Sequence, residues 1–468
     1  MTDTSQLLPN QTAVTSDCMF NLKPSAVRAR SYRASIPSSN KSTFNPSDVA
    51  IFYIPAGRRN TYLDPTQSYM RYTVKNNETG GSAIALNFDQ DGSSVINRLD
   101  VFHASNLLES VQQYNVIHSY LMDFNLSQSQ KAGLSGMYGC DSAGDRDGIP
   151  IAAGNYNTVA SGTAVYANCN SQFTVCIPVL SGVFGLGSEK CLPLGMLSDD
   201  IRVEITLENQ LNGMAASAAT TVNWTITSFE LELAIIELSD EGESMVRSIA
   251  SPERPIFLHG TSFRHYVSSL AANTSGSVSF LVPARFASVK SLILCPRSSL
   301  VTGVSNAYSI SGRVNPNFAS YWWRIGSALI PSKPVILENA NSTGGYAEAL
   351  AEIQKSFHSL DSNANSCAVP FNYFNRADSL RPGGSAGDKF PVYLGDATYY
   401  GAFAIAQECE SFAQRSDLLI SGLNTLSTQV FFEANISSVA PTHGYTLDFY
   451  AWYDHIMVLE DGILSVRF

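Results

Sequence analysis

The order of segments in the second half of the chain repeats the order in the first half. FLVPARF at residues 280–286 echoes FYIPAGR at residues 52–58, and a helical pattern follows each of these segments. Each half then ends with an alternating strand that runs into an acidic stretch. Three landmarks in the same order are more specific than any one short match. The sequence therefore predicts a tandem pair of β domains of about 220 residues each, both with one helix among the strands.

Strand patterns dominate both halves. From residue 50 onward, short runs of alternating apolar and polar residues are bounded by Gly, Pro, Asn and Asp, which is typical of a sandwich or a barrel. With 24 Phe and 21 Tyr against 4 Trp, and with only 15% of residues charged, the composition also favours strands over helix bundles. We therefore expect an all-β protein.

The segment 223–238 contains a change of phase. Trp224 and Ile226 alternate in one phase, whereas the apolar residues after Ser228 alternate in the other. This pattern predicts one long strand with a β-bulge at Ser228. We expect Glu230 and Glu232 to face solvent or a neighbouring subunit, and we expect a second set of side chains to be buried: Trp224, Phe229, Leu231 and Leu233.

One helix is predicted in each half from apolar residues at helical spacing. The first lies between Leu107 and Leu121, where Asn106 and Glu109 could cap its first turn. The second is indicated by Tyr346, Leu350, Ile353, Phe357 and Leu360. Residues 140–172 are rich in Gly, Ala, Ser and Asn without a period, and they predict a long exposed loop.

Composition also indicates where the domains begin and end. Residues 1–44 lack sustained periodicity, and their excess of basic over acidic residues predicts an N-terminal arm. An acidic and proline-containing stretch marks a linker at about 239–260, so the two domains are expected at 45–238 and 261–468. The basic residues of the arm are Lys23, Arg28, Arg30, Arg33 and Lys41.

The net charge of −11 argues against a protein that coats duplex DNA. The N-terminus lacks the basic start and apolar core of a secretory signal, so we expect synthesis in the cytosol without secretion. The eight cysteines form no C-x-x-C pair and no repeating spacing, which predicts free thiols in place of a zinc ribbon or a disulfide framework.

Few residues suggest chemistry. The Gly-rich stretch 182–190 lacks the G-K-[ST] ending of a phosphate loop, and Asp89-Gln90-Asp91-Gly92 lacks the glycine that a calcium loop needs at its sixth position. Trp322 and Trp323 are adjacent on a predicted strand and point to opposite faces, so at most one could stack on a sugar or a base. We therefore predict no catalytic residue, no cofactor site and no metal site.

Several segments resemble the double jelly-roll major capsid proteins of icosahedral double-stranded DNA viruses, in particular those of polinton-like viruses, virophages and adintovirus-like elements. In the first half the similar segments are FYIPAGRRNTYLDPTQSYMRYTV and INRLDVFHASNLLESVQQYNVI, the second with Glu109, Tyr114 and Asn115. In the second half they are WRIGSALIPSKPV, YAEALAEIQKSF and the stretch from Cys409 to Asn435. The resemblance extends over nearly the whole chain after the arm.

This resemblance implies that each half is an eight-stranded jelly roll and that three chains form a homotrimer, a pseudo-hexagonal hexon-type capsomer. Such capsomers tile an icosahedral capsid together with neighbouring capsomers, penton proteins and minor capsid proteins. Sequence-specific nucleic-acid binding is not expected, although the basic arm could meet an inner membrane, the genome or minor proteins. The alternative is a two-domain β-sandwich that binds or hydrolyses polysaccharide, with acidic loops and Trp322 and Trp323 forming its groove.

Overall fold

The structure of the protein is a computed structural model. It describes residues 26–77, 85–140, 147–152, 156–160, 165–169, 172–216, 222–249, 255–303, 308–310, 312–337, 346–357, 360, 366–369, 374–375, 401–411 and 420–468, with side chains left aside for 147–169. Among these residues, no helix is long and apolar enough to cross a membrane.

Eight strands of the first half form two facing antiparallel sheets, which we call the first sandwich. Sheet A has the order β1-β8-β3-β6, and sheet B has the order β2-β7-β4-β5. The strands are β1 (Ala29–Pro37), β2 (Val49–Ile54), β3 (Thr61–Asn76), β4 (Ile96–His103), β5 (Asn106–Gln112), β6 (Gln172–Pro178), β7 (Ile201–Leu207) and β8 (Trp224–Leu238).

Eight strands of the second half form the second sandwich in the same way. Sheet C has the order β9-β16-β11-β14, and sheet D has the order β10-β15-β12-β13. The strands are β9 (Ile256–Leu270), β10 (Ser277–Val282), β11 (Val289–Ser298), β12 (Phe318–Ile325), β13 (Ala328–Ile336), β14 (Ile405–Glu408), β15 (Val430–Ile436) and β16 (Tyr445–Glu460). Adding eight to each strand number of the first sandwich yields the order of the second, so the predicted tandem repeat is present at the level of topology.

The alternation in these strands fills the space between the facing sheets with aromatic side chains. In the first sandwich the Phe229 ring contacts the rings of Phe52 and Tyr72, with centroids 5.1 and 5.0 Å apart. In the second, Phe432 lies between Trp323 and Phe449, at 5.1 and 5.7 Å. Burial of these large rings supplies much of the stability of each sandwich.

Six helices and several short strands connect the sandwiches' main strands in the described residues. The helices are α1 (Tyr114–Phe124), α2 (Gln128–Gly133), α3 (Ser135–Tyr138), α4 (Gln210–Gly213), α5 (Asp240–Ile249) and α6 (Ala347–Phe357), with 3-10 turns at Gly92–Val95 and Leu194–Met196. The short strands are Thr43–Phe44, Ala85–Asp89, Asp147–Ala152, Tyr156–Ala160, Val165–Cys169, Met214–Ala216, Gly312–Arg313, Gly401–Ala402 and Ile463–Arg467.

The two predicted helices have different outcomes. Helix α6 confirms the second pattern over residues 347–357, whereas Leu360 lies beyond its end. The first prediction is wrong for residues 106–112, which form strand β5, and helix α1 begins only at Tyr114. Asn106 therefore caps no helix, and Gln113 in the left-handed conformation precedes the first turn. Similarly, the predicted loop 140–172 contains three short strands among its described residues.

The N-terminal segment also differs from expectation. Residues 29–37 form β1, which pairs with β8 along its whole length, and Thr43–Phe44 pairs with β8 as well. The predicted N-terminal arm, residues 1–44, is therefore part of the first sandwich from Ala29 onward. The physical reason is that β1 finds its partner about 200 residues away, which the local pattern of the sequence cannot indicate. Residues 1–25 lie outside the described residues.

The predicted linker also contains regular structure. Helix α5 lies within residues 239–260, and β9 begins at Ile256. The predicted bulge in β8 is confirmed, because the pairing of β8 with β3 shifts register between Thr227 and Glu230 and Ser228 has a φ of 51°.

Candidate assembly surfaces

Polar side chains fill the contact between the two sandwiches. Glu109 of β5 accepts hydrogen bonds from the hydroxyls of Ser181 and Ser262 and from the Gly182 amide at 2.9 Å. Burial raises the pKa of the Glu109 carboxyl, while these donors act in the opposite direction. Since Ser262 belongs to β9, this carboxyl joins the first sandwich to the second.

A second polar cluster lies on the outer face of sheet C. Arg297 donates from Nε to Asp448 at 2.6 Å and from Nη2 to Gln113 Oε1 at 3.3 Å, and the Tyr450 hydroxyl donates to the Gln113 carbonyl at 3.0 Å. Burial opposes ionisation of Asp448, but Arg297 and His265 together outweigh it and lower the pKa of the carboxyl. The first sandwich thus covers an ion pair of the second.

Helix α1 provides a third contact between the sandwiches. Asp123 forms a salt bridge with Arg313, and both side chains are almost fully buried. The Tyr120 ring packs against Phe357 of α6 with centroids 5.4 Å apart. Because buried charges must be paired, the two sandwiches are held in one relative orientation.

Two buried histidines of sheet C, His259 and His455, have a structural partner or tight packing. His259 lies 3.0 Å from Asp454, and Ser288 donates to the same carboxylate at 2.5 Å. His455 is packed between Gly182 and Gly260, and neither of its ring nitrogens has a hydrogen-bond partner among the described residues. No group of three potential metal ligands occurs among the described residues.

The other candidate motifs serve local structure. Asp91 accepts a hydrogen bond from the Ser93 amide at 2.7 Å and caps the turn Gly92–Val95. In the stretch 182–190, Gly182 and Gly187 approach the Thr261 carbonyl so closely that a Cβ would lie 2.6 and 2.2 Å from it. These glycines therefore allow contact between the sandwiches.

The outer face of sheet D contains the tryptophan candidate. Trp323 is buried in the core, whereas half-buried Trp322 points outward and donates to Glu433 at 2.7 Å. Arg324 also donates to Glu433 at 2.7 Å and lies over the Phe431 ring. The predicted opposition of the two tryptophans is confirmed, and the outward one is held by a carboxylate.

Sheet B repeats this arrangement on its own outer face. The Arg202 guanidinium lies 4.4 Å from the centre of the Phe102 ring and 3.1 Å from Glu204. Exposed Tyr53 lies opposite Arg202 on the neighbouring strand, and exposed Leu107 lies opposite Phe102. Both sandwiches thus present an arginine stacked on a phenylalanine between exposed apolar residues.

The outer face of sheet A is charged. Arg71 pairs with Glu230 at 2.7 Å, and Glu232 pairs with Arg33 at 3.1 Å while accepting a hydrogen bond from Ser35 at 2.6 Å. The prediction that Glu232 faces solvent or a neighbouring subunit is wrong for the single chain, because β1 covers it and leaves its side chain 1% exposed. The alternating acidic residues of β8 indicated in the sequence that this face is charged. Nothing in the sequence indicated which residues of β1 and β3 pair with them.

Neither a protein-family model nor a curated protein matches the sequence. Solved structures do match it. The VP54 protein of the virus PBCV-1, fitted into a reconstruction of the virophage Sputnik, aligns with a TM-score of 0.61 at 10% identity, over 96% of this chain and 99% of that one. The virophage Sputnik structure aligns with a TM-score of 0.55 at 13% identity, over 98% and 93% of the two chains.

The major capsid protein of mavirus aligns with a TM-score of 0.52 at 11% identity, over 97% of this chain and 93% of that one. These alignments cover both sandwiches. They agree with the duplicated strand order described above. The chain has the double jelly-roll fold. Each sandwich is therefore one jelly roll, and the expectation from the sequence resemblance is confirmed at the level of fold.

Proposed function

We propose that this protein is a major capsid protein, the structural subunit of an icosahedral virus shell. One observation carries the proposal: the duplicated jelly-roll order extends over nearly the whole chain, and so does its alignment with capsid proteins of virophages and of PBCV-1. Fold alone does not determine function. The alignments, however, cover 96–98% of this chain and 93–99% of the matched chains, so little of this chain remains for another role.

Three copies supply six jelly rolls, and we propose that they form a homotrimeric, pseudo-hexameric capsomer. Its partners in the shell are neighbouring capsomers, penton proteins and minor capsid proteins. The protein is made in the cytosol of the host and acts in the virion. We further propose that the basic residues in the N-terminal segment reach the inner layer of the shell, although Arg30, Arg33 and Lys41 already pair with acidic residues of the same chain.

We propose two domains joined through residues 239–260, with the first beginning at β1 instead of residue 45. We also propose that the protein has no catalytic activity. The competing polysaccharide-binding protein would need exposed tryptophans beside free carboxylates. Trp323 is instead in the core, and Trp322 is bound by Glu433, which also binds Arg324.

Light scattering of the purified protein at micromolar concentration tests this proposal. We expect a mass of about 152 kDa, three times the 50.6 kDa chain, and six-sided particles in negative-stain images. A stable monomer would contradict the capsomer. Hydrolysis of a polysaccharide that is lost on substitution of one acidic residue would contradict the structural role itself.

A further inference from the structure

Two buried histidines lie at the contact between the two sandwiches. The first is His103 at the end of β4, whose Nδ1 accepts a hydrogen bond from the Leu464 amide at 3.1 Å. The short strand Ile463–Arg467 pairs with β16, so this bond joins the second sandwich to the first. Because the amide can only donate, Nδ1 carries no proton and the ring is neutral. Burial also lowers the pKa of His103, although Asp199 acts in the opposite direction.

The second histidine, His455, lies at the same end of the contact. Its ring fills the narrow space between Gly182 of the first sandwich and Gly260 of β9, where the two glycines have no room for a Cβ. Neither ring nitrogen has a hydrogen-bond partner among the described residues. A proton on this ring would therefore place a charge in a buried site without an acceptor for its hydrogen bonds.

The titratable groups around His455 do not compensate that charge. His259 opposes it, and Asp454 favours it but already lies 3.0 Å from His259. Glu189 of the first sandwich lies 3.6 Å from the other nitrogen of His259. Burial together with His259 lowers the pKa of His455 to about 4. Burial raises the pKa of nearby Glu109, so a proton on that carboxyl does not oppose the contact.

The opposite end of the contact is held by groups that stay charged in mild acid. Arg297 donates to Gln113 of the first sandwich and to Asp448, and His265 lies 2.8 Å from the same carboxylate. Arg297 and His265 lower the pKa of Asp448, so a protonated His265 still has a carboxylate beside it. These residues lie near the start of β16, whereas His455 lies near its end.

We propose that acid opens the contact between the sandwiches at one end only. Protonated His103 releases the strand Ile463–Arg467, protonated His455 releases the stretch 182–190, and the sandwiches stay joined at Arg297 and Asp448. Water solvates each imidazolium in the open state, whereas the closed contact does not. The relative orientation of the two jelly rolls thus depends on pH. This inference concerns a single chain and does not depend on the proposed capsomer.

Hydrogen–deuterium exchange of the full chain at pH 7 and at about pH 5 tests the proposal, with a correction for the intrinsic exchange rate. We expect protection of the Gly182 amide to fall about twentyfold, because the pKa of His455 returns from about 4 to 6.5 when the contact opens. The amides of Leu464 and of Ser198, which donates to the Gly462 carbonyl, should lose protection in the same range. Helix α1 and strand β11 should keep theirs.

The double variant His103→Asn with His455→Phe should keep its protection in acid. The asparagine oxygen can accept from the Leu464 amide, and neither new side chain titrates. His443→Asn is the matched control, because it removes a histidine from the loop before β16, at the opposite end, and should respond to acid as the wild type does. Melting temperatures at pH 7 verify folding. If the double variant melts early, each single variant should lose less protection in acid than the wild type.

Three results would overturn the proposal. The first is equal protection of the wild type at the two pH values, and the second is an equal loss in the wild type and in the histidine variants. The third is a loss in α1 and β11 together with the other amides, which would show that the whole chain unfolds. None of these results bears on the capsomer, which light scattering tests separately.

Discussion

Individual side chains determine how closely the two sandwiches approach. His455 lies between Gly182 and Gly260, where an added Cβ would be 2.3 Å and 2.9 Å from its ring atoms. Burial, together with nearby His259, lowers the pKa of His455 to about 4. The ring is therefore neutral in the folded protein and cannot accept a proton without loss of stability.

We expect acid to destabilise the protein through His455. The pKa of His455 in the folded protein lies below the unfolded value of 6.5. Its contribution to the free energy of unfolding is therefore complete above pH 6.5 and is lost as the pH falls toward 4. The loss amounts to about 3 kcal/mol. Melting temperatures of the wild type and of His455→Phe between pH 7 and about 4 measure it. Equal pH dependence in both proteins would show that His455 is not the titrating group.

Leu231 tests the register of β8 at the same scale. Its side chain is fully buried between the sheets, as predicted from the alternation after the bulge. Leu231→Ala should lower the free energy of unfolding by about 2–5 kcal/mol, since it leaves a cavity in a packed core. Chemical denaturation measures this change. A loss below about 1 kcal/mol would indicate that the core closes around the site.

Among the elements, the edge strands were the hardest to identify. Strand β1 has a short period-2 pattern, because Tyr32, Ala34 and Ile36 alternate with serine and arginine and pack against the core. Its pairing with β8 makes it part of sheet A. In strand β5, four successive residues are buried, so side chains on both faces of the strand are covered. One face packs in its own sandwich, and the other packs against the second sandwich. Alternation is lost when both faces of a strand are covered.

Deletion of residues 1–44 should prevent folding of the first sandwich. The deletion removes β1, which covers Glu232, and it removes Phe44, which is fully buried next to Phe229. Loss of the Phe44 side chain alone costs about 3–5 kcal/mol. Soluble yield and melting temperature measure the effect, and deletion of residues 1–25 is the control, which should melt like the full chain. An unchanged melting temperature without β1 would refute its role in the sheet.

At the scale of the whole molecule, buried polar contacts make the two jelly rolls one unit. Glu109 with Ser262, Arg297 with Gln113, and Asp123 with Arg313 each join the two sandwiches. The proposed capsomer would need such a fixed relation, because a closed ring forms only when the rotation between successive units closes.

Asp123→Ala should lower the free energy of unfolding of the whole chain by about 3–5 kcal/mol, because it leaves the Arg313 charge buried without its partner. The double variant Asp123→Ala with Arg313→Met should recover part of this loss, since it removes both charges. Denaturation curves of the wild type, Asp123→Ala, Arg313→Met and the double variant measure the coupling. A double variant as unstable as the sum of the single variants would show that the pair is not coupled.

The sequence by itself determined the β class, the tandem repeat, the bulge at Ser228, the opposite directions of Trp322 and Trp323, and helix α6. These features follow from local alternation or spacing, which a chain expresses within a few residues. Only the tertiary structure decided that β1 pairs with β8, that β5 is a strand, that Glu232 is buried, and which faces remain open. The reason is that these features depend on partners distant in sequence: β8 for β1, and the second sandwich for β5.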